Sequence, residues 1–365
     1  MLLKLLRARA LASIEQAVIA LLPGGGMAQP MRAAGVPVQE LNLLGGVPLI
    51  GGTLGLVAHA RRFRPELVQG WMYHGNLGAS IARRAAGSQV PLTWGIRQSL
   101  ASLQGENAYA KAGIRLNRLL SRDPDCMLFN SRASLGQHRA FGFHAARMQY
   151  LANGFDTDRF APDAVARARL RAEWRVAEDE IVFGLVARHH PAKNHAGFLR
   201  AAQRVSLARP NAVFVMAGTQ VDSRNAALTG LVSELGIGSR VHLLGERSDV
   251  PAIMAALDVY VSPSVAIEGF SNAIGEAMCA AVPCVATAIG DSPEIVGAEG
   301  WVVPAGDEGA LADEMIGLID AGSAQRSERG RRARERMQAH YSIEAIATRY
   351  AALYSELAER RRARG

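Results

Sequence analysis

The run Val182-Phe183-Gly184-Leu185-Val186-Ala187-Arg188-His189-His190-Pro191-Ala192-Lys193-Asn194 decides the fold class. Its first six residues form an unbroken apolar stretch, the kind buried on both faces of a parallel sheet. A polar loop follows and ends in Asn194, a residue suited to capping a helix. Strand, short loop and helix make the unit of a doubly wound α/β domain. The unit recurs on both sides. Downstream, strands are predicted at 212–217, 240–244, 258–262, 283–286 and 301–303. Upstream they are predicted at 17–22, 36–42, 66–71, 92–96, 125–129 and 148–151, with helices between them such as 76–86 and 131–141.

Two series of strands imply two domains, which suits 365 residues at about 150 residues per domain. With 49% hydrophobic and 20% charged residues, the chain can bury sizeable cores and is not disordered. Between the series lies Leu151-Ala152-Asn153-Gly154-Phe155-Asp156, where Asn-Gly is turn chemistry at positive φ. The domains are therefore expected at 1–152 and 153–340, with 341–365 as a C-terminal helix. That helix shows amphipathic spacing through Ile343, Ile346, Tyr350, Leu353, Tyr354 and Leu357. It ends in Glu359-Arg360-Arg361-Arg362-Ala363-Arg364, which reads as a solvated end with cations complementing the helix dipole in preference to a membrane-docking patch.

Composition excludes several classes. Cys126, Cys279 and Cys284 make no disulfide framework and no C-x-x-C zinc pair, so a reducing compartment is the simplest setting. No run of about 18 apolar residues exists to cross a bilayer, and Lys4, Arg7 and Arg9 interrupt any signal-peptide core. The net charge of +8 favours partners bearing phosphate: nucleotides, nucleic acid or an anionic membrane face. No basic stripe with interleaved aromatics marks a nucleic-acid binder.

Residues with chemical potential cluster in the second half. Arg188 and Lys193 place a guanidinium and an ammonium at the carboxyl end of a strand, where a planar fork and a point charge suit phosphate oxygens. By itself that loop reads equally well as a solvated basic turn. The next strand runs into Pro263-Ser264 and then Glu268-Gly269-Phe270-Ser271-Asn272-Ala273-Ile274-Gly275-Glu276. Ser271 or Asn272 is expected to cap a helix, and Gly269 to let the backbone approach a ligand closely. Free amides at a helix start form an anion site. Glu268 lies just before that start and Glu276 inside the helix. Either carboxylate alone reads as a surface group, whereas two beside an anion site within an apolar run point to a ligand. Thr287-Ala288-Ile289-Gly290-Asp291-Ser292-Pro293-Glu294 follows the next strand and reads by itself as turn chemistry.

Taken together, Arg188 through Asn194, Gly245-Glu246-Arg247-Ser248-Asp249-Val250-Pro251, and Glu268 through Glu276 resemble the retaining glycosyltransferase family 4, the group 1 transferases of the GT-B fold. The spacing of the two glutamates is that family's signature, and Asn153 through Phe160 is similar to its inter-domain segment. The resemblance implies two Rossmann-like doubly wound domains facing across a cleft, the first acceptor-side and the second holding a nucleotide-sugar donor. It implies that Arg188 and Lys193 neutralise the departing diphosphate, that Glu276 holds the ribose, and that Glu268 faces the donor sugar. It places amides of Gly269, Phe270, Ser271 and Asn272 on sugar and phosphate, and Arg247 near the nucleobase. His74, after the strand at 66–71, resembles a family histidine that contacts the donor sugar; Arg97 is expected to line the same cleft.

The implied activity is sugar transfer to an acceptor hydroxyl with retention, in surface polysaccharide or glycoconjugate synthesis. A nucleotide-diphosphate sugar is the co-substrate, and neither metal nor cofactor is expected. The acceptor is a sugar or a lipid-linked sugar, and the setting is cytoplasmic with peripheral contact at the inner face of a membrane. Alternatives are a non-catalytic nucleotide-sugar-binding module and a sugar-nucleotide epimerase on the same fold. Relatives open with a strand and a Gly-Gly loop, whereas this sequence begins Met1-Leu2-Leu3-Lys4-Leu5-Leu6 as an apolar helix, so the first domain is expected to lack its opening strand. Asp123-Pro124-Asp125 imitates an Asp-x-Asp metal motif but precedes its strand, and is read as a turn.

Overall fold

Apolar runs become short parallel strands, and the amphipathic runs between them become helices. The computed structural model describes residues 1–43, 47–100, 103, 107–266 and 268–362. In it the chain divides into two units, Met1–Gly154 with Ile343–Gly365, and Phe155–Ser342.

The first unit runs α1 (Leu2–Leu6), β1 (Val18–Ala20), α2 (Ala28–Ala33), β2 (Val38–Glu40), α3 (Val47–Phe63) and β3 (Val68–Trp71). It continues with α4 (Met72–Ala86), β4 (Leu92–Ile96), α5 (Ala108–Leu119), β5 (Cys126–Phe129), α6 (Arg132–Ala140) and β6 (Met148–Tyr150). The strands lie in two parallel sheets, β1-β2 and β3-β4-β5-β6. Trp94, Ile96, Met127, Phe129 and Phe143 fill the core beside the larger sheet. The helix expected at 76–86 starts four residues earlier, because Met72 at φ +62° turns the chain from strand into helix without a loop. Asp123 pairs with Arg83 and Arg84, and Asp125 accepts the Leu92 amide at 2.9 Å, so the imitation metal motif is a structural turn.

The second unit runs α7 (Ala164–Glu173), β7 (Ile181–Val186), α8 (His195–Ala208), β8 (Ala212–Ala217), α9 (Ala226–Glu234), β9 (Val241–Leu243) and α10 (Val250–Ala256). Then come β10 (Val259–Ser262), α11 (Asn272–Cys279), β11 (Cys284–Thr287), α12 (Ser292–Val296), β12 (Trp301–Val303), α13 (Glu308–Asp320) and α14 (Gly322–Tyr341). Its six strands form one parallel sheet in the order β12-β11-β10-β7-β8-β9. The chain winds outward from β7 through β8 to β9, then returns to β10 and winds the other way. The direction therefore reverses between β7 and β10, and ligands bind at such a switch point, beyond the carboxyl ends of the strands. Phe183, Phe198 and Phe214 pack one side of this sheet with Val259, Val261 and Val285.

Much of the arginine in the second unit serves the fold. Arg334 of α14 donates to the carbonyls of Thr157, Phe160 and Cys279, and Arg336 to those of Glu294 and Ile295. Carbonyls at chain and helix ends lack backbone partners, and a guanidinium with five donors satisfies several at once.

The last helix, α15 (Ile343–Arg362), groups with the first unit. Ile346, Tyr350, Leu353 and Leu357 are buried along it, and its Glu344 accepts the amides of Arg9 and Ala10 at 3.0 and 3.2 Å. Ala363 and Arg364 of the basic terminus lie outside the described residues.

Candidate functional site

Three loops meet at the switch point of the second unit. The first leaves β7. The Ala187 amide pairs with the Ala217 carbonyl at 2.9 Å, and the His189 amide with the Thr219 carbonyl at 2.9 Å, which holds Arg188 between two fixed points. Gly218 makes this approach possible, since a Cβ there would sit 2.1 Å from the Ala187 oxygen. The Arg188 side chain is exposed and pairs with no acid among the described residues. Pro191, Ala192 and Lys193 make a single 3-10 turn, and Asn194, at φ 53°, caps α8 by accepting the Gly197 amide at 3.1 Å.

The second loop leaves β10 and brings Glu268 to Lys193, whose ammonium pairs with Oε2. Ser264 donates its hydroxyl to the same oxygen at 3.1 Å, and the Val265 amide bonds the Ala192 carbonyl at 2.9 Å, tying the two loops together. The Glu268 side chain is only 9% exposed. A carboxylate this enclosed needs its cation and hydroxyl donor, because an unpaired charge loses its hydration without compensation. Ser271 occupies the cap position of α11, but its side chain makes no capping bond. The cap position thus falls on Ser271, one of the two residues expected there, without the expected side-chain bond.

Beneath both carboxylates lies Tyr260 of β10, whose hydroxyl donates to the Val186 carbonyl at 3.5 Å. Burial first, then the charges of Cys284, Glu268 and Glu276, raise this phenol well above its usual range. Glu276 is half-buried on α11. Arg188, Lys193, Glu268 and Glu276 thus gather around the ends of the two central strands.

The third loop, after β11, braces the second. The Thr287 hydroxyl bonds the Ser264 carbonyl, and the Asp291 amide bonds the Gly269 carbonyl at 2.9 Å. Gly290 has φ +56°, and a Cβ on it would lie 2.0 Å from the Glu268 carbonyl oxygen. This stretch reads in sequence as ordinary turn chemistry; its contact with Glu268 spans a separation in sequence that no local pattern reports. Under the first loop, His195 is a second such residue. Its Nε2–H donates to the Ala187 carbonyl at 3.2 Å, and burial pushes its pKa down to about 4.

The other sequence-derived candidates have partners within their own units. Arg247 makes a two-pronged pair with Asp249, both bonds 2.8 Å, and reaches Glu173 of α7 at 3.1 Å. These acids raise its pKa and commit its guanidinium to joining the start of α10 with α7. In the first unit, Arg97 bonds Asn153 and the Tyr350 hydroxyl, the latter at 2.6 Å, and stacks over Trp71. Arg97 is therefore a staple between β4, the chain leaving β6, and α15. His74 lies in the first turn of α4, stacked on Tyr109 with ring centroids 4.4 Å apart. Its Nε2 is buried without a hydrogen-bond partner, against Gly113 of α5.

Among the described residues no cluster of three or more His, Cys, Asp or Glu is arranged to hold a metal ion, and no helix is long and apolar enough to cross a membrane.

Comparison with known proteins identifies the family and the fold. Residues 180–321 match the family described as glycosyl transferases group 1, and residues 2–154 the glycosyl transferase 4-like domain. A GDP-mannose-dependent alpha-(1-6)-phosphatidylinositol monomannoside mannosyltransferase of Mycolicibacterium smegmatis is 31% identical over 55% of this chain and 55% of its own length. A UDP-Gal:alpha-D-GlcNAc-diphosphoundecaprenol alpha-1,3-galactosyltransferase of Escherichia coli is 29% identical over 48% of this chain and 46% of its own. The chain thus spans about half the length of these curated relatives. Among solved structures, Anabaena HepE in complex with UDP-glucose superposes with a TM-score of 0.79 at 22% identity, covering 97% of this chain and 95% of that one. Sucrose-phosphate synthase from Thermosynechococcus elongatus gives 0.74 at 22% identity, covering 96% and 91%. Both share the fold.

Proposed function

The chain belongs to the group 1 glycosyltransferase family, with the two Rossmann-like domains of the GT-B fold, and from that premise we propose that it moves a sugar from a nucleoside-diphosphate sugar to an acceptor hydroxyl with retention of anomeric configuration. The observation that carries this reading is the Lys193–Glu268 pair at the switch point, with Arg188 leaving the end of β7 and α11 starting just beyond the loop that carries Glu268.

The chemistry follows from where charge develops. Breaking the anomeric carbon–oxygen bond leaves the electron pair on the diphosphate. Fixed cations and helix-end amides stabilise that charge in proportion to how well they are placed beforehand. Arg188 supplies a guanidinium that pairs with no acid among the described residues. Lys193 supplies an ammonium held in position by Glu268, and Glu268, at the mouth of the same loops, faces the donor sugar. The acceptor oxygen attacks from the face the diphosphate leaves, and its proton passes to the departing phosphate oxygen. Amides of Gly269, Phe270, Ser271 and Asn272 bind sugar and phosphate, and Glu276 takes the ribose hydroxyls. No step is routed through a metal, and none is assigned to His74 or to the engaged guanidinium of Arg247.

The acceptor is proposed to be a sugar, free or lipid-linked, in surface polysaccharide or glycoconjugate synthesis. Relatives named for phosphatidylinositol mannoside and diphosphoundecaprenol substrates support that choice. An acceptor held in a bilayer would bring the enzyme to a membrane face through the substrate alone.

The test is transfer or donor hydrolysis over a panel of nucleoside-diphosphate sugars, for the wild type and Lys193→Ala. We expect Lys193→Ala to lower turnover by roughly 100-fold or more, the scale of losing one fixed charge stabiliser, with its circular dichroism unchanged. A folded Lys193→Ala variant that turns over at the wild-type rate overturns the reading.

A further inference from the structure

Helix α11 carries Glu276, and the loop before it carries Glu268 through Ser271. The placing of this one helix therefore sets both halves of the carboxylate pair. Its interior holds Gly275, although glycine is a poorer helix former than alanine and φ there is not positive. The reason is contact. A Cβ on Gly275 would lie 2.2 Å from Cζ of Phe155 and 2.6 and 2.7 Å from its two Cε atoms. The tip of the Phe155 ring thus rests directly on the helix backbone, one residue before Glu276. The same ring stacks on Phe270 of the donor loop, with centroids 6.0 Å apart, and Phe270 in turn meets Tyr341 at 6.2 Å. All three rings are buried, and none is among the residues of the main core beside the sheet.

Phe155 is where the chain enters the second unit, and Tyr341 is the residue before its exit at Ser342. The two points lie side by side within that unit. The Phe155 amide bonds the Tyr341 carbonyl at 2.8 Å, and Phe155 forms an isolated parallel bridge with Ser342. Arg334 fastens the far end of the same helix, since one guanidinium holds the Thr157 and Phe160 carbonyls and that of Cys279, the last residue of α11. The entry segment is thereby joined to α11 at its start, its middle and its end.

We propose that Phe155 and Tyr341 are positioning residues for nucleoside-diphosphate binding, acting through Gly275 and Phe270 on α11 and the donor loop. Neither side chain touches the ligand. A close-packed interior passes on a displacement of ring or helix, because it has no free volume in which to absorb it. The coupling is reciprocal, so a ligand that holds the start of α11 also steadies the entry and exit of the unit. The proposal rests on the donor reading given above.

The experiment is titration of the full chain with UDP, GDP and ADP, read beside urea melts and amide hydrogen exchange. The variants are Gly275→Ala, Phe155→Leu, the two combined, Lys193→Ala, and Leu318→Ala in the buried far end of α13. Gly275→Ala improves helix propensity, yet it should weaken nucleotide binding by roughly 10-fold or more, because the new methyl collides with the ring. Phe155→Leu should weaken binding too, by removing the support. The combined variant should bind better than Gly275→Ala alone, since the leucine ends short of the space the methyl needs; contacting residues couple in this way. Leu318→Ala should lower the urea midpoint and leave affinity unchanged. In the wild type, saturating nucleotide should slow exchange at 155–157 and 341–342, and in Phe155→Leu it should not. The positioning role is overturned if Phe155→Leu binds as tightly as the wild type, if the combined variant binds no better than Gly275→Ala, or if affinity only follows the urea midpoint across all variants. A Lys193→Ala variant that binds as tightly as the wild type, or a wild type that binds none of the three nucleotides, overturns the donor reading and this proposal with it.

Discussion

His138 and His195 are each buried, one in each unit, and in each case burial outweighs a favourable backbone hydrogen bond and pushes the pKa down to about 4. His138 donates from Nδ1 to the Ser134 carbonyl at 2.8 Å and accepts the Tyr73 hydroxyl at Nε2, 2.7 Å away, so both ring nitrogens are satisfied only in the neutral form. An unfolded histidine titrates near 6.5. Between pH 6.5 and 4 the unfolded chain therefore binds more protons than the folded one, and stability falls as pH falls through that window. Each histidine should cost on the order of 2 kcal/mol between pH 7 and pH 5. Urea melts of His138→Gln and His195→Gln at the two pH values check this: each variant should show a shallower loss than the wild type, and an unchanged slope refutes the assignment. Nothing in the sequence marked these two among nine histidines, because the protonation state depends on what covers the ring.

At the scale of elements, the candidate site is a stack of three loops in which the last fixes the middle one. Gly290 is the point of closest approach, and replacing it by alanine adds two separate costs. A side chain at φ +56° costs roughly 1–2 kcal/mol in the left-handed region, and a Cβ 2.0 Å from the Glu268 carbonyl forces the loop to move, at about 1–3 kcal/mol more. Gly236→Ala separates these, since that residue has φ +67° with open space around it. Gly236→Ala should lower stability by the smaller amount and leave nucleotide binding intact. Gly290→Ala should lower stability further and weaken UDP or GDP binding by displacing Glu268 and Gly269. Equal effects of the two variants in urea melts and titrations would show that the third loop is a mere connection.

Across the whole molecule the division of labour follows the division of charge. Met1–Gly154 with Ile343–Gly365 holds 22 Lys and Arg against 9 Asp and Glu, a formal charge of +13, whereas Phe155–Ser342 holds 19 against 24, or −5. The acidic second unit concentrates a few cations at one switch point, whereas the basic first unit spreads its cations over helices. A nucleoside diphosphate should then act on the second unit alone. In hydrogen exchange, saturating UDP or GDP is expected to slow amides at 187–195 and 264–276, with no change over 47–63 or 108–119, because ligand binding stabilises the elements it touches. Protection confined to the first unit would place the diphosphate elsewhere.

The order of strands and helices and the three loops at the sheet edge were legible in the chain itself. Apolar runs, turn residues and amphipathic spacing are set by neighbours a few positions apart, and they survive any change of tertiary context. Which cations stay free was not legible. Arg97, Arg247 and Arg334 resemble Arg188 in sequence, but packing hands the first three to Asn153 and Tyr350, to Asp249 and Glu173, and to backbone carbonyls. Only the folded chain could decide this, because a guanidinium's partner is fixed by distance in space between segments up to 253 residues apart. The same reason hid the bracing of Glu268 by Gly290, and the gathering of positive charge into one unit.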